Sequence, residues 1–282
     1  MHPPADVAAA ARALADEALA QAGILLEEAH DAAACRSVSE VLGQVWGRTG
    51  AEMLDPALLV ALAHAGNPVT LALREDGPVG AAMGFCGPPG TPFHSHIVGL
   101  LPEAAGRGAG RAIKLAQRAW CLERGIDAMT WTFDPLVRRN AHFNIRTLGA
   151  RPVEYLPSLY GEMRDAINAG QDSDRMLVRW DLTRTPPERG GAVEVDGAHA
   201  IADEGDVPSA YARPSGDGPA LLATPTDIEA LRRTDPEAAR RWRSETRAAF
   251  TDLLATGWGV DGFTDAGQYV LRRADQPTEG TP

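Results

Sequence analysis

The stretch FHSHIVGLLPEAAGRGAGRAIKLAQRAW, residues 93–120, restricts the fold more than any other part of the chain. FHSHIVGLL reads as a strand, rich in apolar and aromatic residues. Three glycines follow at single-residue spacing, Gly106, Gly108 and Gly110, with Arg107 and Arg111 between and after them. AIKLAQRAW then continues at helical spacing. A strand that runs through a bare loop straight into a helix belongs to a fold that mixes the two kinds of element.

The flanking sequence supplies the order. Residues 5–22 form an alanine-rich helix closed by Gly23, and ILLEEA, 24–29, a short strand. From Asp31 to Trp46 the positions Ala34, Val38, Val41, Leu42 and Val45 recur at helical spacing. Asp55-Pro56 gives a cap and a first-turn proline, opening a helix to about Ala65. PVTLALREDGPVGAAMGFCG, 68–87, is a hairpin turning at Glu75-Asp76-Gly77. After the glycine helix, which ends near Gly125, IDAMTWTF is a fourth strand. Asp134-Pro135 starts a helix that Gly149 stops, and PVEYLPSLYG and RMLVRWDL are further strands. From Thr183 the chain turns rich in Pro, Gly, Asp and Ser, as linkers and long loops are. ALLATP, a helix from Asp235-Pro236 to Gly257 and the strand GQYVLRR form a compact tail. The helix keeps Trp242, Thr246, Ala249 and Leu253 on one face, and its arginines, Arg240, Arg241, Arg243 and Arg247, read as a solvated face. The division expected is 1–183, with 184–282 as an extension or small second domain.

Glycine is costly at the start of a helix unless something must approach the backbone there. The first N–H groups of a helix lack intrahelical partners, and its dipole makes that end electropositive. A diphosphate laid across them gains charge-assisted bonds, and side chains at 106, 108 and 110 would obstruct it. The P-loop pattern fails because no lysine follows at its spacing, and the dinucleotide pattern fails because the spacing is G-x-G-x-G. The pyrophosphate loop of acyl-CoA transferases, Gln/Arg-x-x-Gly-x-Gly/Ala, is met in its glycine part by Gly108-Ala109-Gly110. The plainer reading of the three glycines is a tight turn; alternation and flanking arginines favour the anion site.

On these residues the chain resembles the GNAT acyltransferase superfamily, whose members move an acyl group from acyl-CoA to an amine. HIVGLLPEAAGRGAGRAIKLA looks like its strand–loop–helix core, and NAHFNIRTLGA, 140–150, like its later helix. The resemblance covers about the first two-thirds of the chain. Tyr160 to Trp180 is similar to a segment of larger GNAT-like proteins that carry a C-terminal tail, some associated with N-succinylamino acid metabolism. The fold implied is α/β (α+β): a mixed, mostly antiparallel twisted sheet with helices on both faces, plus a small α/β C-terminal extension. The chemistry implied is N-acyl transfer from acetyl-CoA or succinyl-CoA to the amine of a small metabolite such as an amino acid. A CoA-binding or partner-binding protein with little catalysis is the competing reading. Two departures from the family pattern keep it open: Ala105 stands where Gln or Arg is usual, and Ile145 where a tyrosine often serves as general acid.

The resemblance assigns cofactor contacts to Val98, Gly99, Leu100 and Leu101 of the strand and to Gly106, Arg107, Gly108, Ala109, Gly110 and Arg111 of the loop. Gly99 also suits a place where a ligand nears a strand. Asn140 and Asn144 are candidates for the cofactor arm. His96 is the candidate base, since imidazole titrates near neutrality; its neighbour His94 reads as solvated and idle. Tyr160, with Tyr155, is the nearest replacement for the missing acid. Asp134 is a candidate for a substrate amine, with helix capping as its plainer role. Arg164 and Arg175 are candidates for a substrate carboxylate.

Composition removes other classes. The 282 residues are 44% apolar, enough for a proper core. A net charge of −11 argues against nucleic acid as a partner. The cations are nearly all arginine, Lys114 being the only lysine. Cys35, Cys86 and Cys121 make neither a disulfide framework nor a metal spacing, so no metal is expected. No segment is apolar enough to span a bilayer, and the acidic N-terminal stretch does not read as a secretory signal, so a cytoplasmic protein is expected. The partners expected are the small-molecule amine and, at most, a second copy of the chain as a homodimer.

Overall fold

A computed structural model describes residues 5–47, 53–161, 172–187 and 193–273. In chain order the elements begin α1 (Ala5–Ala22), β1 (Leu25–Glu28), α2 (Ala32–Val45), α3 (Pro56–His64), β2 (Val69–Arg74), β3 (Gly77–Cys86), β4 (Phe93–Leu100), α4 (Ala109–Leu122) and β5 (Ala128–Phe133). They continue with α5 (Arg138–Ala141), β6 (Arg151–Leu156), β7 (Arg175–Asp181), β8 (Ala198–Ile201), β9 (Ala220–Ala223), α6 (Ile228–Thr234), α7 (Pro236–Ala255), β10 (Trp258–Phe263) and β11 (Gln268–Arg273). Seven strands make one sheet in the order β1-β2-β3-β4-β5-β7-β6, and four make a second in the order β10-β11-β9-β8. The first is mixed and mostly antiparallel, β4 and β5 running parallel. This is the architecture the resemblance implied, with the small α/β extension forming its own sheet. No helix among the described residues is long and apolar enough to cross a membrane.

Two compact units divide the described residues: one reaches Trp131 and includes Trp180–Thr185, and the other takes the rest from Thr132 onward. The compact units therefore divide inside β5, not at the linker after Thr183. In the first unit, helices cover both sheet faces. Ala11, Ala15, Ala18 and Ala22 are buried at helical spacing, giving α1 a thin face on which α4 packs. α4 is buried on nearly every side, between that face and the sheet, Lys114, Gln117 and Arg118 included. α2 covers the opposite face with Val38, Val41 and Leu42, joined by Leu59 of α3. Both helices start on local chemistry: Asp31 accepts from the N–H groups of Ala33 and Ala34, and Asp55 from that of Ala57 ahead of Pro56.

In the second unit, Trp242, Phe250 and Leu253 of α7 are fully buried. Phe250 stacks on Tyr155 at 5.2 Å between centroids and meets the edge of Tyr269 at 5.1 Å. The Tyr269 hydroxyl donates to the Pro135 carbonyl at 2.7 Å. The tail is thus built into one core with residues from before Thr183.

Thr246 Oγ1 is buried in this core with no hydrogen-bond partner among the described residues. A buried hydroxyl left unpaired costs about 1–3 kcal/mol. Thr246→Val keeps the shape and removes that cost. The variant is expected to be more stable by about 1 kcal/mol, read as a higher urea midpoint at unchanged m-value.

Candidate active site

β4 changes character along its length. Against β3 its register runs Leu100, Gly99, Val98 and Ile97 opposite Gly80, Ala81, Ala82 and Met83, then resumes with His94 and Phe93 opposite Phe85 and Cys86. Ser95 and His96 therefore face Gly84 alone, which is a β-bulge in β4. The extra residue switches the strand's faces. Before it, Ser95 points to α4, where its hydroxyl donates to Gln117 Oε1 at 2.9 Å and accepts from Lys114 Nζ at 2.8 Å. After it, Gly99 points to α2, where a Cβ would sit 2.7 Å from Trp46 and 3.0 Å from Leu42.

The other edge of β4 opens at the same place. β4 pairs with β5 only through Phe93 with Met129 and His94 with Thr130. Beyond these two pairs the parallel strands part, leaving the β5-facing edge of β4 without ladder partners from Ser95 on. Parallel strands that pair at one end and separate at the other leave a fork whose walls carry unused backbone groups.

The fork leads into the glycine loop. A 3₁₀ turn at Pro102–Ala104 follows β4, and then Gly106 and Gly108 take φ of +76° and +80°. Both glycines are required by the left-handed backbone, since an added Cβ would meet nothing within 4 Å at either. Gly108 is the N-cap of α4 and offers no side-chain cap. The first intrahelical bond runs from Ala112 N–H to the Gly108 carbonyl, 3.0 Å, so the N–H groups of Ala109 and Gly110 precede it. Gly110 lies inside the helix without positive φ. Arg107 is exposed and Arg111 half-buried beside the loop.

The sequence-derived candidates divide between the units. Val98 to Leu101, Gly106 to Arg111 and His96 lie in the first. The His96 ring is 6.0 Å from those of His94 and Phe85, and burial pushes its pKa below the ordinary 6.5. Burial thus favours its neutral form. His94 is not the solvated, idle residue expected: it is half-buried, and its Nδ1 lies 3.3 Å from Thr130 Oγ1 at the last pair before the fork. Burial first, then His96 and Lys114, lower its pKa. The close approach of α2 is by itself enough to require glycine at position 99.

Asn140, Asn144, Asp134, Tyr160 and Arg175 lie in the second unit, and Arg164 lies outside the described residues. The helix expected from Pro135 begins at Arg138, with Val137 as its N-cap, and passes into a π-helical turn, His142–Thr147, that carries Asn144. Asp134 Oδ1 accepts from Leu136 N–H at 3.0 Å, capping only a turn. Its Oδ2 accepts from Arg232 at 2.6 Å and Arg243 at 2.7 Å, all three side chains being buried. Asp134 is thus engaged as the anion of a buried ion cluster, and Arg243 is no part of a solvated face. The Arg175 guanidinium lies 5.7 Å from the ring of Tyr160, which is 47% exposed, and donates to the Asp174 carbonyl. Tyr155 donates to the Asp174 carboxylate; burial, then that carboxylate, raise its pKa, so it holds its proton and is a poor acid.

Sequence reasoning noted Lys114 without giving it a place. It lies 4% exposed on α4, with Nζ 3.9 Å from the centroid of Trp131. Its being the one lysine of the chain, on the helix opened by the glycine loop, was the available signal.

No protein-family model matches the chain, and no curated protein matches it in sequence. Solved structures do. One is a phosphinothricin acetyltransferase from Sinorhizobium meliloti in complex with acetyl-CoA: 20% identity, TM-score 0.46, covering 59% of this chain and 94% of that one. Another is the ribosomal-protein-S18-alanine N-acetyltransferase of Escherichia coli: 9% identity, TM-score 0.45, 57% and 96%. A third is the ribosomal-protein-alanine N-acetyltransferase of Brucella melitensis: 18%, 0.42, 56% and 99%. The first is described as a GNAT-superfamily enzyme.

Proposed function

We propose that the chain is an acyl-CoA-dependent N-acyltransferase that modifies the amine of a small metabolite such as an amino acid, with acetyl-CoA or succinyl-CoA as donor. The observation that carries this reading is the fork. β4 bulges and leaves β5 after two pairs, and the same strand runs through Gly106 and Gly108 to the open N-terminus of α4. Unused strand groups suit the amide-bearing arm of coenzyme A, and unpaired helix N–H groups with Arg107 and Arg111 suit its diphosphate. Val98 to Leu101 would bind the arm. His96, on the bulge and favoured in its neutral form by burial, would accept the ammonium proton of the incoming amine.

An enzyme must release free thiol when a suitable amine is added; a CoA-binding module need only bind. Thiol release from acetyl-CoA and succinyl-CoA across a panel of amino acids and simple amines separates the two. The reading predicts amine-dependent release with at least one pair, and His96→Asn is expected to lower it by about 100-fold at undiminished acyl-CoA affinity. Binding with no release from any pair would favour the non-catalytic reading.

A further inference from the structure

Among 27 lysines and arginines the chain has a single lysine, Lys114, and buries it. No carboxylate pairs with it among the described residues. Its ammonium donates to Ser95 Oγ at 2.8 Å, lies over Trp131 and is 4.0 Å from Met129 Sδ. A buried cation with no counter-ion is unfavourable, and a lysine placed so gives up its proton more readily than one in water.

Its contacts locate it. Ser95 is the residue after His94, the last of β4 to pair with β5, and Trp131 is the residue after Thr130, the last of β5 to pair with β4. Lys114 is held against the first unpaired residue of each strand, behind the point where the fork opens. The titratable groups facing it are His94 from β4 and Cys121 from its own helix; β5 presents only Met129 and Trp131. On α1, which also packs against α4, Arg12 is paired with Glu123. Burial pulls the Lys114 pKa down to about 7, with Cys121 acting weakly the other way.

We propose that Lys114 is the positive charge that stabilises the thiolate of coenzyme A as the acyl group leaves. The inference rests on acyl-CoA occupying the fork. In the transfer the amine nitrogen bonds to the thioester carbon, the C–S bond breaks, and its electron pair leaves on sulfur. The amine's proton goes to the base. A buried ammonium behind the fork lowers the energy of that charge without touching the substrate, so Lys114 acts as a positioning charge across Ser95. The contribution is present while Lys114 is protonated and is lost as pH rises through its pKa, so the rate falls above about pH 7. By linkage, a thiolate in the fork must raise the proton affinity of Lys114.

Labelling with ¹³C-lysine gives one side-chain signal, because there is one lysine. We expect its titration midpoint near pH 7 in the free protein to rise by about one unit, tenfold in proton affinity, with coenzyme A oxidised to its sulfonate bound, which fixes a negative charge at the sulfur position, and to stay in place with desulfo-coenzyme A. Equal midpoints with the two bound ligands overturn the inference. Failure of either ligand to bind overturns the reading of the fork beneath it. In the thiol-release assay, Lys114→Met is expected to be about 100-fold slower at pH 6.5 with acetyl-CoA affinity within about twofold, and Lys114→Arg to hold its rate above pH 7. A folded Lys114→Met with the original rate and pH profile overturns it equally; should that variant not fold, the titration of the unmodified chain decides.

Discussion

Gly110→Glu is expected to abolish binding of acetyl-CoA and free coenzyme A while leaving the chain folded. Gly110 is in the first turn of α4 and has no positive φ, so a side chain there brings no backbone strain. An acidic residue in a first turn interacts favourably with the helix dipole, which protects the fold. The same carboxylate stands where a diphosphate would lie. Charge-assisted bonds are worth about 1.5–3 kcal/mol each, and losing two of them to blockage and repulsion weakens binding by at least about 100-fold. Calorimetric titration of a variant with unchanged circular dichroism is the check. Gly108→Glu is the less discriminating substitution, because φ of +80° there makes any side chain strain the loop.

Asp134→Asn is expected to destabilise the protein by about 3–5 kcal/mol, the cost of leaving buried cations without their anion. Arg232 and Arg243 both direct Nη2 at the same carboxylate oxygen, and Nε and Nη1 of Arg243 have no other partner among the described residues. Burial acts to raise the pKa of Asp134, but Arg243 and Arg232 outweigh it and hold the carboxyl well below the usual range. A depressed carboxylate pKa contributes stability above its unfolded value, about 3.9, and loses it as pH falls toward the folded value. The gap between wild type and Asp134→Asn should therefore be full at pH 7 and narrow below about pH 4. Urea midpoints at pH 7 and pH 3 measure it; equal midpoints at pH 7 would remove Asp134 from the core energetics.

What was legible in the sequence was local. Asp55-Pro56 and Asp235-Pro236 open helices because each capping carboxylate and the N–H group that donates to it lie within three residues. The strand, glycine loop and helix were legible for the same reason. Asp134-Pro135 carries the same signature and its Oδ1 still caps Leu136 N–H, yet the helix begins only at Arg138, while its Oδ2 is engaged by arginines 98 and 109 residues away. Arg243, part of an arginine-rich helix face, is buried in that same contact. The bulge at Ser95 and His96 is a property of register with β3, and the fork of pairing with β5; neither exists in the sequence of β4 alone. Gly99, flanked by apolar residues, pointed to a ligand, whereas α2 supplies the crowding.

The most direct measurement is calorimetric titration of the purified protein with acetyl-CoA, succinyl-CoA and free coenzyme A. An acyl-CoA-binding fork predicts saturable binding at about micromolar Kd, −8 kcal/mol, with the preferred acyl group identifying the donor. No binding to any of the three would contradict it, leaving Gly106 and Gly108 as residues that only turn the chain from β4 into α4.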